Sequence, residues 1–235
     1  MTCCITAGFL FEQRKKICFF TKTLLRKRFH STRMETGIIK RVSEKVTMEL
    51  QEQIREASID LFREKGLKFT MEDVARQMHV AKKTIYKFYQ SKEELLMDLV
   101  KTGFAAIQEC KQKVLDSDLP MKEKIAKVLI EMPENYKTLD FRQLSGIGDK
   151  YPTVAAEIAM NLGSEWEPIF ALLEEGIKSG KVNSVSLPVL KQIVTASIDR
   201  FLYSDELKRD GITYQEALAY MVEILMKGVW NDSAQ

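Results

Sequence analysis

TMEDVARQMHVAKKTIYKFYQSKEEL, residues 70–95, begins with a threonine three positions ahead of Asp73. A hydroxyl there can cap the free amides of a first helical turn while the carboxylate reaches back, the capping-box pattern. Met71, Val74, Ala75 and Met78 follow at i, i+3, i+4 and i+7, one apolar stripe on barely two turns of helix. So short a helix is unstable alone in water and needs neighbours to pack against. The chain turns through His79 and Val80, and the spacing predicts a second helix from about Lys82 to Tyr89, with Ile85, Phe88 and Tyr89 on one side. Val80 and Ile85 flank Ala81 as a hydrophobic staple would. Lys82, Lys83, Tyr86 and Lys87 are left pointing outward, and Ser91-Lys-Glu-Glu94 predicts a third helix whose Glu94 reaches the Ser91 amide.

Periodicity alone leaves two readings open. One is a helix-turn-helix whose second helix enters a DNA major groove; the other is a helical hairpin with a solvated lysine face. The motifs around it are more specific. Leu61, Phe62 and Gly66 precede Thr70; Lys82, Thr84, Ile85 and Tyr86 follow the turn; Ser91, Lys92, Glu93 and Leu95 open the next helix. In order and spacing this resembles the DNA-binding region of the TetR family of bacterial transcriptional regulators, over residues 48–95. The chain departs from the family's pattern at His79, where glycine is usual, at Ala81, where a capping serine is usual, and at Phe88, where many members carry a His or Tyr.

The resemblance implies roles. Lys82, Lys83 and Thr84 are candidates for base edges, with lysine suited to guanine acceptors. Thr70, Tyr86, Lys87 and Lys92 are candidates for phosphate.

Composition is that of an ordinary globular protein: 235 residues, 45% hydrophobic and 29% charged. The net charge of +3 is unevenly placed. Residues 1–47 hold 11 Lys and Arg against 3 Glu, a balance of +8, and the remainder holds 25 against 30, or −5. The helix-turn-helix is thus a basic island on an acidic body. The leader contains Cys3, Cys4, Cys18 and Arg26-Lys27-Arg28, and no Asp. It could be a transit peptide, a basic arm for DNA phosphate, or sequence ahead of the functional start, with Met34 and Met48 as later starts. The last is the expectation adopted here, which leaves residues 1–47 as a disordered or mis-assigned extension. Its longest apolar patch is too short for a secretory signal, and no stretch approaches a membrane span. With His30 and His79 as the only histidines and no metal-ligand spacing among the cysteines, neither metal nor cofactor is expected. Cys110 reads as a small buried apolar residue, and a reducing cytoplasm fits.

The remaining pattern is all-α. A helix from Met48 carries Ile54, Ala57, Ser58, Leu61 and Phe62 to a stop at Gly66, closing a three-helix core with the motif. The helix from Ser91 runs to Leu115, long enough to enter a second, helical domain over residues 96–235. Further helices are predicted from Pro120 to Met132, from Pro152 to Gly180 with a bend at Pro168, from Leu187 to Tyr203 and from Thr213 to Trp230. The stretch 136–152 is irregular.

In the second domain Phe104, Ile107, Met132, Tyr136 and Phe141, with Met160, Trp166 and Phe170, lie on helices that resemble those lining the family's inducer pocket, and Gln108 and Arg142 are candidate polar anchors. Two late stripes mix small and large residues. Val189, Ile193, Ala196, Ser197 and Phe201 form one; Ala217, Tyr220, Met221, Ile224, Leu225 and Gly228 form the other. Two such helices from each of two chains would make a four-helix interface, and the resemblance implies a homodimer formed this way. No nucleophile motif, phosphate loop or strand pattern supports an enzyme. The expectation is a cytoplasmic homodimeric repressor that binds palindromic double-stranded DNA and is released by a small-molecule effector. A helical protein-interaction module without DNA binding is the alternative.

Overall fold

The computed structural model describes residues 33–230 other than 145 and 165, with side chains from Lys45 onward except those of residues 203 and 205. Every regular element among the described residues is helical. Two compact units form, residues 1–50 and 51–235. In the first, residues 33–50 are helical, belonging to helix α1 (Arg33–Lys65). That helix starts well before the expected Met48; the expectations for residues 1–32 lie outside the described residues.

In the second unit α1 ends at Lys65, and Gly66, at φ 56°, opens a 3-10 turn through Lys68. Glycine is needed here twice over, since a Cβ would strain the left-handed backbone and stand 2.7 Å from Gln143 Oε1. Then come α2 (Met71–Gln77), α3 (Lys82–Ile85) and α4 (Lys92–Leu115). The Thr70 box has both halves: its hydroxyl accepts from Asp73 N and its own amide donates to Asp73 Oδ2 at 2.9 Å. At α4 only one half matches, because Glu94 takes the amide of Gln90 at 2.6 Å and not that of Ser91.

Helix α3 is shorter than its pattern. After Ile85 the bonding tightens to Lys87 N on Thr84 O and Phe88 N on Ile85 O, 3.3 and 2.9 Å. The Ala81 cap offers no side-chain acceptor, and Tyr89, 2% exposed, is drawn into the core, so the last turn closes tightly. His79 holds the turn before it at φ 53°, the one non-glycine residue with positive φ among those described. His79→Gly is expected to unfold at an equal or higher urea concentration than the parent, whereas the β-branched His79→Val should lose about 1–2 kcal/mol, read as a lower midpoint at unchanged slope.

The other helices are α5 (Met121–Val128), α6 (Glu134–Lys137), α7 (Ile147–Lys150), α8 (Pro152–Gly163), α9 (Glu167–Lys178), α10 (Leu187–Tyr203), α11 (Asp205–Arg209) and α12 (Tyr214–Val229). Two expectations need correction. Helix α5 stops at Val128, four residues early, and the anticipated helix from Pro152 to Gly180 is two helices. Pro168 does not bend a continuous helix. It sits in the first turn of α9, where its missing amide costs nothing, behind a cap formed by the buried Trp166.

Two apolar cores run through this unit. One gathers Val128, Trp166, Leu173, Val194, Leu218 and Val222 from α5, α9, α10 and α12. The other holds Ile54, Leu61, Phe69, Val74, Ile85 and Leu95, and continues into Leu139, Ile147, Val154 and Ile158. The three helices of the motif therefore do not close a core of their own. Helix α8 packs along α4 and completes it.

Candidate functional site

The outward face of α3 matches its pattern. Ile85 is fully buried while Lys82, Lys83, Tyr86 and Lys87 are exposed and Thr84 is half-buried. Lys82 lies 3.7 Å from Glu72 and 5.9 Å from the centre of the Tyr86 ring. The ammonium groups of Lys83 and Lys87 make no ion pair with any described residue and are available to an anion. A short helix with two free cations and an exposed phenol is suited to a groove edged by phosphates.

Two residues expected to meet phosphate are otherwise engaged. The Thr70 hydroxyl donates to Asp73 Oδ2 at 2.8 Å, which leaves it no proton for a phosphate oxygen beside a carboxylate. Lys92 turns inward: its Nζ donates to the carbonyls of Leu67 and Phe69, both at 2.6 Å, and sits 4.3 Å from the Phe69 ring centre. Burial lowers its pKa, and the two carbonyl bonds pin it to the turn in a structural role. Those carbonyls belong to a 3-10 turn that no helix ladder satisfies.

Asp73 joins three groups. It accepts from Lys65 at 3.0 Å, from Arg76 at 3.2 Å and from Thr70, and the Lys65 and Thr70 bonds hold its carboxyl at about 2, below the ordinary 3.8. A depressed carboxylate stabilises the fold fully above its unfolded value and loses that contribution as pH falls through the folded one. The stability gap between the parent and Asp73→Asn, measured by urea titration, is therefore expected to be constant above about pH 5 and to shrink toward about pH 2.

Behind α3 a polar network ties its end to α1 and α4. The Tyr89 hydroxyl donates to Asp98, Arg55 Nη1 donates to the same carboxylate at 3.1 Å, and Arg55 also pairs with Glu52. Burial and the bond to Asp98 push the Tyr89 phenol up to about 12, so it remains a donor at neutral pH.

Between this network and the C-terminal helices lies a cavity of about 170 Å³. Ile59 and Phe62 of α1 and Leu96 and Leu99 of α4 form one side; Leu139, Phe141, Ile147 and Ile158 face them. Phe104, Ile107, Met132, Tyr136 and Phe141, all expected, are on the wall. Gln108 and Trp166 instead line a neighbouring cavity of about 80 Å³. Three of the expected residues lie away from both cavities. Met160 is 62% exposed on the outer face of α8, and Phe170 packs in the core, 5.9 Å from Trp166 between ring centres. Arg142 is no anchor: it is held by Asp140 at 2.7 Å and by the carbonyl of Ile212 at 2.9 Å. Sequence reasoning missed Ile59, Phe62 and Tyr214, which line the larger cavity. Tyr214 carried a legible signal, since it follows Thr213 in a capping box with Glu216 that fixes the first turn of α12.

On α10 and α12, Val189, Ile193, Tyr220 and Ile224 are exposed large apolar side chains, Ala196 and Gly228 are exposed beside them, and Ser197, Phe201 and Leu225 are half-buried. Ala217 and Met221, 4% and 7% exposed, serve mainly the protein's own core. The two helices pack on each other and leave a groove of about 360 Å³, bounded by Ile193, Phe201, Tyr220 and Ile224.

Residues 54–99, the helices around Thr70 to Leu95, match the family model for bacterial regulatory proteins of the tetR family. Over this segment the chain is similar to the DNA-binding region of that family. It is 23% identical over 173 residues to the uncharacterised HTH-type transcriptional regulator YvaF of Bacillus subtilis (strain 168), covering 73% of this chain and 91% of that one. It is 28% identical over 183 residues to YhgD of the same organism, another uncharacterised HTH-type transcriptional regulator, covering 75% and 94%. Among solved structures, the transcriptional regulator FadR from Bacillus subtilis in complex with stearoyl-CoA shares the fold at a TM-score of 0.55 and 21% identity, covering 75% of this chain and 98% of that chain. The chain, all-helical in its described elements, thus carries the DNA-binding segment of a transcriptional regulator. No described helix is long and apolar enough to cross a membrane.

Proposed function

We propose that this regulator acts as a cytoplasmic homodimeric repressor, not an enzyme, that binds a palindromic operator through paired α3 helices and leaves it when a small molecule occupies the cavity between α1, α4 and the C-terminal helices. One observation carries the reading: a single apolar cavity is walled both by Phe62 and Leu96, which flank the helix-turn-helix, and by Ile147 and Ile158 of the C-terminal helices. Filling it must alter packing on both sides, because close-packed interiors yield in discrete rearrangements. Two α3 helices must sit about one turn of DNA, roughly 34 Å, apart to meet two half-sites. A ligand that favours another spacing lowers the bound population by no more than its differential affinity for the two states. Stearoyl-CoA in the FadR structure is a precedent for a ligand with a long apolar chain on this fold.

On α3 we assign Lys83 and Thr84 to base edges, with Lys82 able to join them by leaving Glu72, and Lys87 and Tyr86 to phosphate. Footprinting the full-length protein on the DNA upstream of its own gene tests the reading. Two protected half-sites related by a dyad are expected, with affinity falling steeply as salt rises. Folded protein that protects no site would favour the interaction-module alternative.

A further inference from the structure

Three polar side chains on the walls of the two adjoining cavities make no hydrogen bond with any described residue: the hydroxyls of Tyr136 and Tyr214 and the half-buried amide of Gln108. None of the three is sealed inside the protein, since Arg63 Nε is the one buried side-chain nitrogen or oxygen without a partner among the described residues, so each has hydrogen-bonding capacity that faces cavity space. The Tyr136 hydroxyl is placed by α4, where a Cβ on Gly103 would come within 3.4 Å of it. Tyr214, 7% exposed, borders both cavities together with Phe104, Ile107, Met132 and Leu162. The two spaces thus share five wall residues, one of them Met132 with its adaptable thioether.

The walls also state what charge they accept. No ionisable side chain other than the two tyrosines lines the larger cavity. The smaller one adds Lys111 and Glu131, one of each sign, and Glu131 is paired with Lys137 at 3.1 Å. A carboxylate would meet no cation in the larger space, and in the smaller one Lys111 is already engaged while Glu131 would repel it.

We propose that the effector is an uncharged, elongated molecule, its apolar body in the larger cavity against Tyr136 and Tyr214 and a hydrogen-bonding end at the Gln108 amide in the smaller one, as in a medium-chain alcohol or amide and not a carboxylate. This rests on reading the cavity as the effector site.

The test uses full-length protein with Trp230→Phe, leaving Trp166 on the wall of the smaller cavity as the reporter. Titration with 1-octanol, octanamide and octanoate at about pH 8 is expected to shift Trp166 emission with the two neutral probes and to need at least tenfold more octanoate. Gln108→Leu, close in size, should weaken octanol and octanamide by about fivefold while leaving octanoate unchanged. Calorimetry on the unsubstituted chain must give the same ranking. Octanoate binding as tightly as octanol, or Gln108→Leu without effect, overturns the ligand class and leaves the cavity standing as a site. If no probe binds and none releases footprinted DNA, the effector-site reading itself falls. Loss of the footprint without any probe present would count against DNA binding and not against the ligand class.

Discussion

Lys92→Met is expected to lower the unfolding free energy by about 2–4 kcal/mol while leaving the salt dependence of operator binding unchanged. Methionine keeps an unbranched apolar stem against Phe69 but removes two charge-assisted bonds, and the carbonyls of Leu67 and Phe69 have no helical partner to replace them. Bonds to a charged group are worth about 1.5–3 kcal/mol each, and the half-exposed setting lets water recover part of the loss. The segment released is the 3-10 turn that leads into the Thr70 cap, so α2 and the turn at His79 should loosen first. Urea titration should show a lower midpoint at constant slope. At a temperature where the variant remains folded, its log affinity plotted against log salt should run parallel to the parent's. Lys87→Ala should do the reverse, with stability within about 0.5 kcal/mol of the parent and a slope shallower by about 1. A flattened slope for Lys92→Met would restore the phosphate role that its sequence position implies.

Lys92 also shows where sequence reading stops. Its neighbours Ser91 and Glu94 are legible because a capping residue acts within one turn, and the Thr70–Asp73 box, the Thr213–Glu216 box and the Gly66 stop are local for the same reason. The α3 face was likewise readable, since a single period separates buried Ile85 from exposed Lys83 and Lys87. The Lys92 ammonium is spent on atoms 25 and 23 residues away, and the Arg142 guanidinium on a carbonyl 70 residues away. Nothing in a lysine's spacing separates a solvated cation from one folded back onto a turn. The cavity divides in the same manner. Phe104 and Ile107 could be placed because α4 is long and periodic, whereas Leu139, Leu144 and Ile147 lie in short turns where no period accumulates. Ile59 and Phe62 read as core of the motif alone, because no pattern shows that the motif leaves its core open for α8 to complete. The division between α8 and α9 is not legible, since an apolar run with a proline inside suits a bent helix and a fresh start equally well.

Ile224→Glu is expected to convert the proposed dimer into a monomer and to weaken operator binding by about 100-fold or more. Ile224 is 70% exposed on α12 and has little to lose within its own chain, so the stability of the folded protomer should change by no more than about 0.5 kcal/mol. Its neighbours make the difference. Ile193 and Tyr220, at 47% and 55% exposed, form with it one apolar surface around the groove between α10 and α12, and Val189, 56% exposed, stands four residues before Ile193 on α10. Four large apolar side chains clustered on adjacent helices are the pattern of a face that a second copy covers. A glutamate in the middle of it would sit near its own symmetry mate, unpaired and cut off from water. The effect on DNA follows from effective concentration: once one α3 is docked, the partner's α3 meets its half-site at roughly millimolar concentration, and a monomer forfeits that gain. Sedimentation equilibrium and a gel-shift titration read the two consequences separately. Met160→Glu is the matched control, because Met160 is 62% exposed on α8, away from the groove, and that variant should remain dimeric with parental affinity. If Ile224→Glu stays dimeric, the α10–α12 face is not the interface; if it becomes monomeric yet binds the full operator undiminished, paired recognition is not how this regulator holds DNA.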